Sequence, residues 1–77
     1  MIDVKEAARI AIHYFQDLYG DKYPIVTLEE IELLEDEPFW LITLGYAKSE
    51  LYDLKYKELK IHNQSGEVIS MKIRTVA

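Results

Sequence analysis

One helical stretch followed by nothing but two-residue alternation most limits what this 77-residue chain can fold into. From Val4 to Tyr19 the apolar residues Val4, Ala7, Ala8, Ala11, Ile12, Tyr14, Phe15, Leu18 and Tyr19 fall within an arc of about 160° at helical spacing. Lys5, Glu6, Arg9, His13, Gln16 and Asp17 fill the other side. That pattern predicts a surface helix with one broad buried face. Asp3 and Glu6 have the spacing of a capping box, in which Asp3 accepts an early backbone N–H and Glu6 reaches back. Gly20 stands where a left-handed C-cap would sit, and Tyr23-Pro24 stops further continuation.

After Pro24 the period becomes two. Val26–Leu34 sets Ile31 and Leu33 against Glu30 and Glu32, which predicts an outer strand with a bulge near Glu29 and Glu30. Glu35-Asp36-Glu37-Pro38 is a turn. The following run alternates cleanly, with Trp40, Ile42, Leu44 and Tyr46 on a heavy face toward the helix and Phe39, Leu41, Thr43, Gly45 and Ala47 on an open one. Residues 48–54 have no firm period and read as a loop. Lys55–His62 then places Leu59 and Ile61 inward against Tyr56, Glu58, Lys60 and His62. Asn63-Gln64-Ser65-Gly66 supplies a hairpin turn with Gly66 at positive φ, and Val68–Arg74 sets Ile69, Met71 and Ile73 against Ser70, Lys72 and Arg74. The expected fold class is α+β: one N-terminal helix on a four-stranded antiparallel meander, α-β-β-β-β, in a single domain over residues 1–77.

Composition trims the functional classes. With 49% hydrophobic and 30% charged residues the chain suits a folded, water-soluble domain. A net charge of −5 disfavours nucleic acid, and the charge is split: residues 1–38 carry 3 basic and 10 acidic side chains, a net −7, and residues 39–77 carry 6 and 4, a net +2. Cysteine is absent, which excludes thiolate metal sites, thiol catalysis and disulfides; no apolar segment is long enough for a membrane span, and a cytoplasmic address is expected.

The hairpin His62-Asn63-Gln64-Ser65-Gly66-Glu67-Val68-Ile69 resembles the closing hairpin of PepSY-type domains, where a strand meets an Asp or Asn, a Ser/Thr-Gly-Glu turn and a last aliphatic strand. The helix with Ala7, Ala8 and Ala11 followed by a meander is similar to the same family's cystatin-like architecture. That resemblance implies a helix packed on a curled sheet and a role in restraining peptidases or binding peptides. PepSY-type domains are generally secreted or tethered, and the expectation here departs from that pattern, with neither a signal nor a tether expected.

Residues able to carry chemistry are few. His13, with Arg9 and Asp17 one turn either side, could be oriented as a base but reads as a solvated helix residue. His62 could meet a ligand or simply end its strand. The two rings lie on opposite sides of the expected fold, so no shared metal site follows. Six carboxylates, Glu29, Glu30, Glu32, Glu35, Asp36 and Glu37, lack a calcium-loop pattern and should be split by strand geometry between two faces, leaving a solvated acidic edge. No phosphate loop or nucleophile motif occurs, so no enzymatic activity and no cofactor is expected.

The remaining surface is the open sheet face, where Leu41, Thr43, Tyr56, Glu58, Lys60, Lys72 and Arg74 form a mixed aromatic, aliphatic and charged patch suited to a protein. The expected function is a non-catalytic interaction module that binds a protein or extended peptide through that face or through an edge strand. Self-association of the acidic half with the basic half is a related expectation. The rival reading is a ligand-binding or catalytic accessory subunit with an apolar pocket between helix and sheet, near Phe15, Tyr19, Trp40 and Tyr46.

Overall fold

The computed structural model describes residues 1–75 and has the expected order: α1 (Val4–Tyr19), β1 (Ile25–Leu33), β2 (Phe39–Ala47), β3 (Lys55–His62) and β4 (Val68–Arg74). The four strands form one antiparallel sheet in the order β1-β2-β3-β4, so short connections have made sequence neighbours into spatial neighbours. α1 covers one face of it and touches all four strands.

Asp3 caps α1, its carboxylate accepting the Glu6 N–H at 2.8 Å. The Glu6 side chain does not reach back as a capping box requires; it pairs forward with Arg9. The chain before the helix is anchored too. The Ile2 N–H donates to the Asn63 carbonyl at 2.7 Å, and the Trp40 indole donates to the Ile2 carbonyl at 3.2 Å. Those bonds fix the start of α1 over the first residues of β2 and the β3–β4 hairpin. Its far end lies over the end of β2, where Tyr19 and Tyr46 both flank Phe15 at ring separations of 5.3 and 5.0 Å.

Ala7, Ala11 and Phe15 are the fully buried spine of α1, and they pack with Ile42, Leu44, Tyr46, Leu59 and Ile61. Alanines at successive turns let the helix backbone approach the sheet closely, and Phe15 fills the core one turn further on. The buried arc differs from the sequence reading at its margins. Ile10 packs on the core although it falls outside the arc, whereas Val4, Tyr14 and Leu18 are exposed. Val4 and Leu18 belong to the terminal turns, and the Tyr14 hydroxyl finds no partner among the described residues, so contact with water is the more favourable placement. Gly20 also differs: at φ −59° it is right-handed, and it is required because a Cβ there would stand 2.5 Å from the Gln16 carbonyl oxygen.

Pairing in the sheet explains three further departures. β1 has its bulge at Glu29, between the Leu28–Leu44 and Glu30–Thr43 pairs. Because the extra residue resets the alternation, Glu29, Glu30 and Glu32 do not divide between faces; all three lie on the side away from the helix. A second irregularity pairs Ile61 with Val68 while Lys60 pairs with Ser70. Val68 therefore packs on the core, and Ile69, expected inward, is exposed. Ile73 keeps its inward register opposite Lys57 but is 75% exposed at the margin of the sheet.

The β3–β4 hairpin forms as its sequence requires. Gly66 has φ +76°, its N–H donates to the His62 carbonyl at 2.9 Å, and His62 Nδ1 accepts from the Gln64 and Ser65 N–H groups at 3.1 and 3.3 Å. His62 therefore ends its strand by holding the turn together, and is not presented to a ligand through that nitrogen.

Candidate functional site

The helix-free face of the sheet carries the residues singled out for binding. Leu41, Thr43, Tyr56, Glu58, Lys60, Lys72 and Arg74 do share that side, linked by the pairs Leu41–Lys60, Thr43–Glu58, Glu58–Lys72 and Tyr56–Arg74. The face is not open in its middle, however. Arg74 on one edge strand and Glu30 on the other are about 14 Å apart at ordinary strand spacing, so each side chain must lie down across the sheet for the two to meet. They meet over Thr43: Arg74 Nη1 pairs with Glu30 and also donates to Thr43 Oγ1 at 2.7 Å.

This arch leaves Thr43 only 4% exposed and closes it to a partner. Thr43 is the one buried polar side chain among the described residues, and its hydrogen bond to a guanidinium meets the cost of that burial. Beside it, the Thr27 hydroxyl donates to Glu29 at 2.6 Å above Gly45, where a Cβ would stand 2.7 Å from Thr27 Oγ1. The short side chains of β2 are thus a floor on which the long ones of β1 and β4 rest. What remains exposed lies nearer the margins. Lys72 stands in solvent, and Lys60 leans over the Phe39 ring at 5.6 Å, within 3.9 Å of Glu37.

Two sheet edges flank the face. On β1 the bulge and the carboxylates of Glu29, Glu30 and Glu32 interrupt the row of backbone groups, a device that discourages pairing. The outer edge of β4 has no partner strand among the described residues, and carries the exposed Ile69 and Ile73 together with Lys72.

The pocket expected between helix and sheet does not form where it was placed. Phe15 has no exposed surface, and Trp40 lies at the opposite end of the helix from Tyr46, bonded to Ile2. A concavity that does involve the sheet lies at the C-terminal end of α1, a cavity of about 520 Å³ that Tyr19, Tyr23 and Tyr46 share with Tyr56, Lys22, Lys55 and Lys57. Sequence reasoning found two of those tyrosines and none of the lysines, because Lys22, from the loop after α1, meets Lys55 and Lys57 of β3 only in the folded chain. The aromatic wall is continuous: Tyr23 stands edge-on to Tyr46 at 4.9 Å and to Tyr19 at 6.5 Å, with Lys57 Nζ 5.5–5.6 Å from the Tyr46 and Tyr19 rings.

Neither histidine joins a reactive group. His13 lies in solvent 3.6 Å from Asp17, and Arg9 turns away from it to Glu6. No cluster of three or more His, Asp or Glu side chains among the described residues could hold a metal ion, and no helix there is long and apolar enough to cross a membrane. No family model matches the chain, and comparison with curated proteins and with solved structures gives no significant match.

Proposed function

We propose that the protein is a non-catalytic interaction module that binds an extended peptide by adding it as a fifth strand beside β4. The observation that carries this reading is the unpaired outer edge of β4, with Ile73 75% and Ile69 47% exposed along it. A strand edge offers a row of backbone donors and acceptors, so an added chain gains main-chain hydrogen bonds at each second residue. The alternative edge carries the carboxylates of Glu29, Glu30 and Glu32, and the centre of the helix-free face is occupied by the Arg74–Glu30 arch. Lys72 beside the β4 edge favours a peptide that alternates apolar with acidic residues. The hairpin resemblance to PepSY-type domains supports peptide binding of this kind. A cytoplasmic setting and the absence of nucleic-acid binding belong to the same proposal, and rest on the cysteine-free composition and the net charge of −5.

The test is titration of the ¹⁵N-labelled protein with synthetic heptapeptides alternating valine and glutamate, followed by amide hydrogen exchange. Binding should shift β4 amides and slow their exchange. A peptide with a central proline should bind more weakly, because it lacks a ladder donor. Ile69→Asp/Ile73→Asp should abolish binding with an unchanged circular dichroism spectrum, whereas Leu41→Asp/Tyr56→Asp should leave it intact. Loss of binding only in the second variant would move the site to the sheet face, and equal binding of the proline peptide would overturn strand addition.

A further inference from the structure

We propose that the tyrosine- and lysine-lined cavity at the C-terminal end of α1 binds a small phosphate ester carried on a planar ring, with a nucleoside monophosphate as the model ligand. The cavity adjoins the strand addition proposed for β4, since Ile73 and Arg74 also line it, and Lys22→Gln/Lys55→Gln tells the two apart because it changes no residue of β4.

Charge is the first argument. In a chain with a net charge of −5, none of the residues lining this cavity carries a carboxylate, and Lys22, Lys55 and Lys57 converge on it. None of the three lysines forms an ion pair among the described residues, although carboxylates outnumber cations 14 to 9 in the chain. Three uncompensated ammonium groups suit a phosphate, which carries about −1.5 to −2 at neutral pH, better than a single carboxylate. The overall negative charge does not oppose this, because exposed charges more than about 8 Å away are largely screened at physiological salt. A polyanion spread over the acidic half of the surface would still be repelled.

Shape is the second. A volume of about 520 Å³ lies within the range of small-molecule sites. Phe15 and Tyr46 are buried, and Tyr19 and Tyr23 pack on them in tilted and edge-on contacts, so the wall is organised before any ligand arrives. The half-buried Tyr19, Tyr23 and Tyr56 leave part of their ring surface to a planar group, and ammonium groups stand close by, with Lys57 5.6 Å from the Tyr19 centroid and Lys22 5.5 Å from that of Tyr23. A ring and a phosphate on one molecule would engage both features together.

The experiment is titration of the ¹⁵N-labelled protein with adenosine monophosphate, adenosine and inorganic phosphate as separate probes, at low and at physiological salt. Adenosine monophosphate should shift the amides of Tyr23, Lys55, Tyr56 and Lys57, with an affinity at least about tenfold above that of either fragment. Binding should weaken at higher salt. Lys22→Gln/Lys55→Gln alters only exposed side chains, so it should keep the fold and lose about tenfold in affinity. Lys57→Gln, closer to the rings, should show the same loss with a native circular dichroism spectrum. Shifts centred elsewhere, unchanged affinity in Lys22→Gln/Lys55→Gln, or inorganic phosphate binding as tightly as adenosine monophosphate would each overturn the proposal.

Discussion

Replacing Gly66 by alanine tests how the last hairpin is held against the helix. The residue has φ +76°, and a Cβ built on it would stand 3.0 Å from Ile10 Cδ1. Two costs are therefore expected, and they can be separated. The left-handed backbone costs a residue with a Cβ about 1–2 kcal/mol. The contact adds less, because the tip of an isoleucine can swing by a few tenths of an ångström. A chain of this length holds about 4–12 kcal/mol of stability in all, so Gly66→Ala removes a sizeable share. It should lower the melting temperature by about 4–16 °C, at the 4–8 °C per kcal/mol usual for so small a domain. Urea unfolding followed by Trp40 fluorescence gives the free-energy change directly. Gly66→Asn should cost clearly less, since asparagine tolerates this backbone region. Ile10→Val removes Cδ1, so in a double-mutant cycle it should recover only the contact component of the Gly66→Ala cost. Full rescue by Ile10→Val, or a Gly66→Ala cost below about 0.5 kcal/mol, would refute the assignment of the main effect to backbone conformation.

Three other substitutions address the rest of the fold. Phe15→Ala empties the centre of the aromatic stack and should cost about 3–5 kcal/mol, read as a fall in the urea midpoint at unchanged slope. Gly45→Val drives a Cβ into the Thr27 hydroxyl and should destabilise by about 1–3 kcal/mol, whereas Thr27→Ala/Gly45→Ala together should cost less than the sum of the single changes. Arg74→Met removes the donor that satisfies Thr43, at about 1–2 kcal/mol in urea unfolding, and adding Thr43→Val should give most of it back because neither polar partner then remains.

The order and extent of the elements are legible in the sequence because hydrophobic period is a local property. Asp3, Pro24, the Glu35–Pro38 turn and the Asn63–Gly66 turn each act within a few residues, and they delimit α1 and the four strands without any knowledge of what lies opposite. The heavy face of β2 is equally legible, since Trp40, Ile42, Leu44 and Tyr46 cannot all face water. The bulge at Glu29 was legible as a place, but not in its consequence. Alternation read along one strand divides the carboxylates of Glu29, Glu30 and Glu32, while pairing with β2 gathers them on one side. Val68 and Ile69 exchanged roles for the same reason, because register belongs to a pair of strands and not to either one.

Which parts of the surface stay exposed was decided largely by tertiary structure. Arg74 meets Glu30 across the whole width of the sheet, and so closes Thr43 and shifts the available surface to the β4 edge. The lysine and tyrosine cavity brings together the end of α1, the loop after it and parts of β2, β3 and β4. Long polar side chains carry no periodic signal and travel far from their backbone, so where they converge depends on how the elements pack. In this chain the period of the apolar residues sets the scaffold, and packing sets what the scaffold presents.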